Sequence, residues 1–158
     1  MFFRMLTMFN RMFNIDTPNK PMMPAKSSCE LRIRLLQEEL DELKEAVENN
    51  DLVEVADALV DLQYVLTGTV LAFGIDELRF DKLFHEVHKS NMSKVDDTWT
   101  EAKDTQDAYY KKGIISYVEM NKQEKWLVKR AVDDKVLKSL KYKAPDLKQF
   151  LPLQDSEE

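Results

Sequence analysis

The chain has 158 residues, 44% of them apolar and 33% charged, enough to bury one core and too few for two full domains. Acidic residues outnumber basic ones 29 to 23, a formal charge of −6 that argues against stable nucleic-acid binding through counterion release. With 3 glycines and 1 cysteine, a glycine-rich phosphate loop, an internal disulfide and a cysteine-based zinc site are excluded.

At the start, Phe2, Met5, Phe9, Met12 and Phe13 recur at helical spacing. Arg4 and Arg11 interrupt the apolar run and no small-residue cleavage site follows, so the expectation is a helix docked on a core rather than a signal peptide. No uncharged run approaches the roughly 18–20 residues of a membrane span, which predicts a soluble, cytoplasmic protein with no membrane partner. Pro18, Pro21 and Pro24 make Ile15 to Ser27 an extended linker. Ser27 and Glu30 have the spacing of a capping box, predicting a helix that starts near Glu30 and runs to Asn49. Asn49-Asn50-Asp51 breaks it, Asp51 caps a second helix over Leu52 to Phe73, and Gly74 stops that one. A third helix follows from Asp76 to Ser90.

Beyond Lys94 the pattern changes. Thr98 to Lys112 reads as a helix ending at Gly113, and Ile114 to Met120 and Lys125 to Val132 read as two strands turned at Asn121 to Glu124. Charge divides the chain at nearly the same place. Residues 1–102 hold 11 basic and 19 acidic side chains, and residues 103–148 hold 12 and 7. The expected organisation is an all-α domain over 1–95 including the docking helix, a helix plus β-hairpin over 96–150, and an acidic tail over 151–158. The fold class is mainly α: an antiparallel helix bundle completed by oligomerisation, with a small α+β hairpin at its C-terminal end.

The carboxylates carry the chemistry. On a wheel of 3.6 residues per turn, the first long helix gathers Ile33, Leu36, Leu40, Leu43 and Val47 on one apolar face and most of its charges on the opposite one. Glu39 and Glu42 fall instead among Leu31, Leu35 and Ala46, and Glu38 lies at that sector's rim. The second helix contains no Lys, Arg or His, is apolar almost all round, and is expected to be buried on most sides. Its Glu54, Asp57 and Asp61 share one stripe with Ala58, Val65, Gly68 and Ala72. Helices joined by a short turn pack antiparallel, so the two acidic sets face each other. Glu39, Glu42, Glu54 and Asp57 then form an all-oxygen cluster suited to a hard divalent cation, Mg²⁺ or Mn²⁺. The alternative is a salt-bridged helix pair in which Arg32, Arg79 or Lys94 answers the acids.

The arrangement Glu38-Glu39-x-x-Glu42 followed by Glu54-x-x-Asp57 resembles the EExxE…ExxD signature of MazG-type nucleoside triphosphate pyrophosphohydrolases. Val87 to Lys94, containing Ser90-Asn91-Met92-Ser93-Lys94, is similar to a segment of the phosphoribosyl-ATP pyrophosphohydrolase-like branch. The likeness covers about residues 9–95 and, weakly, the last twenty, whereas Asp96 to Val132 departs from the compact core of the family. It implies Mg²⁺ held by Glu39, Glu42, Glu54 and Asp57, and hydrolysis of (d)NTPs between the α- and β-phosphates to nucleoside monophosphate and pyrophosphate. Glu38 is the candidate general base, and Asp61, Asn91 and Lys94 are candidate substrate contacts. A homodimer or dimer of dimers is the expected assembly. Two rivals stand: phosphoribosyl-ATP as the substrate of the same chemistry, and a catalytically silent helical module that binds nucleotides or proteins.

Other signals are weaker. His85 and His88 are three apart rather than the four of a zinc-protease helix. Trp99, Trp126, Tyr109, Tyr110 and Tyr117 beside Lys111, Lys112, Lys125, Lys129 and Arg130 could stack bases, but packing between helix and sheet is the simpler reading.

Overall fold

The computed structural model describes residues 1–151, so the expected acidic tail lies outside the described residues apart from Leu151. Among them are five α-helices, α1 (Phe2–Met12), α2 (Lys26–Glu48), α3 (Leu52–Ala72), α4 (Glu77–Met92) and α5 (Trp99–Tyr110). A two-stranded antiparallel sheet, β1 (Ser116–Met120) and β2 (Trp126–Arg130), follows, with a short 3₁₀ turn at Lys148–Phe150. The mainly helical class with a C-terminal hairpin holds. The backbone contacts form two compact units, one built on Met1–Asp81 and one on Lys82–Gln149, dividing within α4.

In the first unit, α2 and α3 form an antiparallel hairpin with α1 packed on α3. The turn between them closes as the sequence predicts. Asp51 accepts hydrogen bonds from the backbone N–H groups of Val53 and Glu54 at 3.0 and 3.2 Å, capping α3. Asn50 takes a left-handed backbone with φ +53°. The start of α2 differs from expectation. It begins at Lys26, and the Ala25 carbonyl receives the N–H groups of Ser28 and Cys29, so the Ser27–Glu30 capping box does not form. Pro24 ends the extended linker two residues earlier than the box would require.

Helix α1 docks, but by a different face. Leu6 and Asn10 are its buried residues, while Phe2, Met5, Met12 and Phe13 stay exposed. Phe9, at the edge, meets Tyr64 of α3 edge-on with ring centroids 5.6 Å apart. The linker returns along the end of α3, where Met22 donates to the Phe73 carbonyl at 3.1 Å. Gly74 has φ +69° there, and a Cβ on it would lie 2.0 Å from the Lys20 oxygen, so only glycine fits.

By length and composition α3 could cross a membrane, with a mean hydropathy of 1.3 over eighteen residues. Its Glu54, Asp57 and Asp61, and its contacts with α1 and α2, make it the central helix of a bundle instead. It is not buried on most sides within one chain: Val53, Leu59, Val60 and Leu66 are exposed, as are Ile33, Leu40 and Val47 on the expected core face of α2. The reason is geometric. Helix α2 turns its Arg32, Glu39, Glu42 and Ala46 side toward α3, leaving Ile33, Leu40 and Val47 of its most apolar face exposed.

The second unit has its own small core of Ala102, Val128 and Leu137, with Tyr109, Ile114, Val118 and Trp126 packed against it. Helix α5 starts with a full capping box between Thr98 and Glu101 and ends before Gly113 at φ +75°. The strands are shorter than predicted because Ile114 and Ile115 lead into the ladder rather than joining it; the register pairs Ser116 with Arg130 and Met120 with Trp126. Asp96 fastens this unit. Its backbone exchanges two 2.9 Å hydrogen bonds with Trp126, and its buried carboxylate accepts from Ser139 Oγ at 2.5 Å.

Candidate active site

The α2–α3 seam holds the predicted acids in antiparallel order. Arg32 lies against Gly68, Glu39 lies within the field of Asp57 and Asp61, and Glu42 shares a cleft with Glu54, Asp57 and Ala58. That cleft, of about 370 Å³, is also lined by Glu45, Ala46, Asn49 and Asp51, three of which are polar residues that the motif spacing does not single out. Its position follows from the tight turn at Asn49-Asn50, which brings the last turns of α2 beside the first turns of α3.

Exposure corrects one expectation. Glu42, Glu54 and Asp57 stand exposed at the cleft, Glu38 is exposed outside its lining, and Glu39 and Asp61 are half-buried. Desolvation therefore bears mainly on Glu39. Its burial first, and then the negative charges of Glu42, Asp61, Glu38 and Asp57, hold its carboxyl above the ordinary glutamate range. Glu39 thus lies within the field of four other acids.

The salt-bridged alternative fails on its named partners. Arg79 pairs with Asp76 at 3.6 Å, and Lys94 donates to Asn91 Oδ1 at 2.6 Å. Among the described residues Arg32 forms no ion pair, and its Nε is buried without a hydrogen-bond partner. No ion pair among the described residues involves Glu38, Glu39, Glu42, Glu54, Asp57 or Asp61.

As the side chains stand, no three His, Cys, Asp or Glu residues among those described converge closely enough to hold a metal ion. The donor set nevertheless fits Mg²⁺ by its chemistry: it is all carboxylate, uncompensated by any base, and mostly exposed, so rotation of the side chains disrupts no packing. Asn91 and Lys94 belong to the second unit, where they contact each other.

A model of the phosphoribosyl-ATP pyrophosphohydrolase family matches residues 6–91, more than half of the chain. The chain belongs to the phosphoribosyl-ATP pyrophosphohydrolase family. No curated protein matches it. The family match covers α1, α2, α3 and nearly all of α4, and so includes the whole carboxylate seam. As a member of the MazG-like superfamily, the chain carries a nucleotide pyrophosphohydrolase domain, of the class that acts on phosphoric anhydrides. The α5–hairpin segment lies beyond the match. Three of its bases are answered within the second unit: Lys125 by Asp97, Lys129 by Glu119 and Arg130 by Asp133. Trp99 and Trp126 meet at 5.1 Å in a T-shaped pair, the packing reading of those aromatics.

Two polar groups escaped the motif analysis as site candidates. Asn10 is only 5% exposed, with its Nδ2 unpartnered, and Arg32 has its orphaned Nε. The signal for Arg32 was present in the spacing, since it precedes Glu39 by one heptad on the same sector of α2. Asn10 could have been found as the polar residue one turn beyond Leu6 on the docking helix.

Proposed function

We propose that this protein hydrolyses nucleoside triphosphates, deoxynucleotides foremost, to nucleoside monophosphate and pyrophosphate in a Mg²⁺-dependent reaction that clears unwanted nucleotides from the pool. The observation that carries the reading is the uncompensated carboxylate seam within a pyrophosphohydrolase-family domain. Glu39, Glu42, Glu54 and Asp57 hold the metal. When bound, it supplies charge neutralisation at the phosphate oxygens and a more acidic water. Glu38, exposed at the rim of the cluster, accepts the water's proton as the new P–O bond forms and the α–β anhydride bond breaks. Asp61, one turn beyond Asp57, orients the bound substrate. Asn91 and Lys94 are proposed nucleotide contacts on the strength of the motif they share with the family.

A second reading is favoured by the family's own description: phosphoribosyl-ATP has the same anhydride and suits the same acids. A second copy of the chain, as homodimer or dimer of dimers, covers the apolar faces that one chain leaves open.

A panel of dNTPs, NTPs and phosphoribosyl-ATP with Mg²⁺ tests the proposal, with pyrophosphate and orthophosphate scored separately. Pyrophosphate from dNTPs at the highest kcat/KM supports the first reading. Preference for phosphoribosyl-ATP moves the assignment to the second. No turnover of any of them leaves a binding module.

A further inference from the structure

We infer that residues 137–146 position Asn91 and Lys94 for the nucleotide, with Ser90, Ser93 and Tyr142 as the positioning residues; this rests on the hydrolase reading above, in which Asn91 and Lys94 are nucleotide contacts.

The run Ser90-Asn91-Met92-Ser93-Lys94 closes α4, and its polar side chains fall on two adjacent sides of the chain. Residues three apart in a helical turn share a face, so Ser90 goes with Ser93 and Asn91 with Lys94. The two faces are engaged differently. On the first, buried Ser90 donates through Oγ to the Lys143 carbonyl at 2.8 Å, and the Lys143 N–H donates to Ser93 Oγ at 3.0 Å. The Tyr142 hydroxyl lies 3.0 Å from Ser90 Oγ. On the second, Lys94 Nζ donates to Asn91 Oδ1 at 2.6 Å, and Asn91 stands exposed. Both serine hydroxyls are thus taken up by the chain itself, which leaves Asn91 and Lys94 to meet a ligand.

Residues 137–146 form neither helix nor strand, yet they are fastened along their length. Leu137 donates to the Val128 carbonyl at 2.8 Å, Lys138 to the Tyr109 hydroxyl at 3.1 Å and Leu140 to Thr105 Oγ1 at 3.2 Å. Further on, the Asp146 N–H donates to Glu86 Oε1 of α4 at 3.3 Å. The segment therefore ties the end of α4 to the core of the second unit, to which all of these residues belong. The family match stops at Asn91, so this fastening is an addition to the matched core.

The last turn of a helix lacks partners for its final carbonyls and opens easily. Asn91 lies in that turn and Lys94 just beyond it. The Lys143 peptide clasps the turn at positions 90 and 93 and holds it closed before any ligand arrives. Without the clasp, a nucleotide would have to order the turn as it binds, which weakens binding and leaves the chemical step alone.

Full-length Ser90→Ala/Ser93→Ala, with Tyr142→Phe as a milder change, tests this in the turnover assay with Mg²⁺ and the best nucleotide of the panel. The serine pair should raise KM roughly fivefold or more and hold kcat within about twofold, and Tyr142→Phe should move KM the same way by less. Ser93→Ala alone should raise KM, whereas Ser93→Thr, which keeps the hydroxyl, should not. The deciding comparison is made in an Asn91→Ala/Lys94→Ala background, itself reduced in kcat/KM. There the serine pair should lower kcat/KM by less than about twofold more, because the groups it positions are gone. Tyr142→Phe carries the same comparison should the serine pair not fold. Equal losses in both backgrounds, a fall in kcat at constant KM, or an unchanged KM would overturn the role while wild-type turnover keeps the hydrolase reading intact. Absence of wild-type turnover would fell both.

Discussion

Glu39 is the residue at which the chemistry of the site and the stability of the fold oppose each other. It is half-buried among four other acids, so folding without a cation favours its protonated form. Because its folded pKa is raised, its contribution to stability is complete below the ordinary glutamate range and is lost as pH rises through the folded value. In chelator, Glu39→Gln should therefore melt above the wild type, with the gap widening as pH rises from the ordinary glutamate range through the raised folded value and constant above it. With Mg²⁺ and nucleotide, the same variant should lose roughly 100-fold or more in kcat. Calorimetry and a turnover assay read the two effects, and a Glu39→Gln protein that melts lower in chelator would remove the carboxylate crowding. Asp57→Asn should likewise abolish turnover and preserve the helical circular dichroism spectrum, and near-normal activity would displace Asp57 from the metal set.

At the level of elements, the α2–α3 hairpin was legible because its punctuation is local. Asp51 caps, Asn50 turns and Gly74 stops, each through a backbone requirement that one residue type meets best. The acidic sets were legible because a helical wheel places Glu39, Glu42, Glu54 and Asp57 without any knowledge of distant contacts. What the wheel lacked was the partner. It ranked the apolar faces of α1 and α2 as docked, yet Leu6 and Asn10 dock α1, and the facing of the acidic sets, which the wheel did give, leaves Ile33, Leu40 and Val47 of α2 exposed. Hydrophobicity alone does not say which apolar face is covered within one chain. The start of α2 failed for a related reason: Ser27 and Glu30 satisfy a pattern, but Pro24 had already set the chain's entry. The linker makes its own prediction. Gly74→Ala combines a left-handed backbone with a collision at the Lys20 carbonyl, and should cost more than about 1 kcal/mol in denaturant unfolding. A neutral result would mean that the linker is not held against the end of α3.

Over the whole molecule, uncovered apolar surface is the main departure from a self-sufficient chain. Phe2, Met5, Leu59 and Val60 line an apolar cleft of about 350 Å³, and Ile33, Leu40 and Val47 form a second uncovered row. Large exposed apolar surface of this kind marks an interface. Sedimentation of the purified protein should give a dimer or larger species, and Val60→Glu should shift it toward the monomer; a monomeric wild type would contradict the proposed assembly. The formal charge of −6 also reads differently at this scale. The acidic excess is concentrated in the front of the chain, and under the proposed function a cation at the seam would turn repulsion of a triphosphate into binding. The most direct test of that statement is the phosphorus NMR spectrum of a dNTP incubated with the protein, with Mg²⁺ and with excess chelator. Stoichiometric monophosphate and pyrophosphate with Mg²⁺, and unchanged triphosphate in chelator, are expected; orthophosphate as the product, or cleavage that survives chelation, would contradict the account.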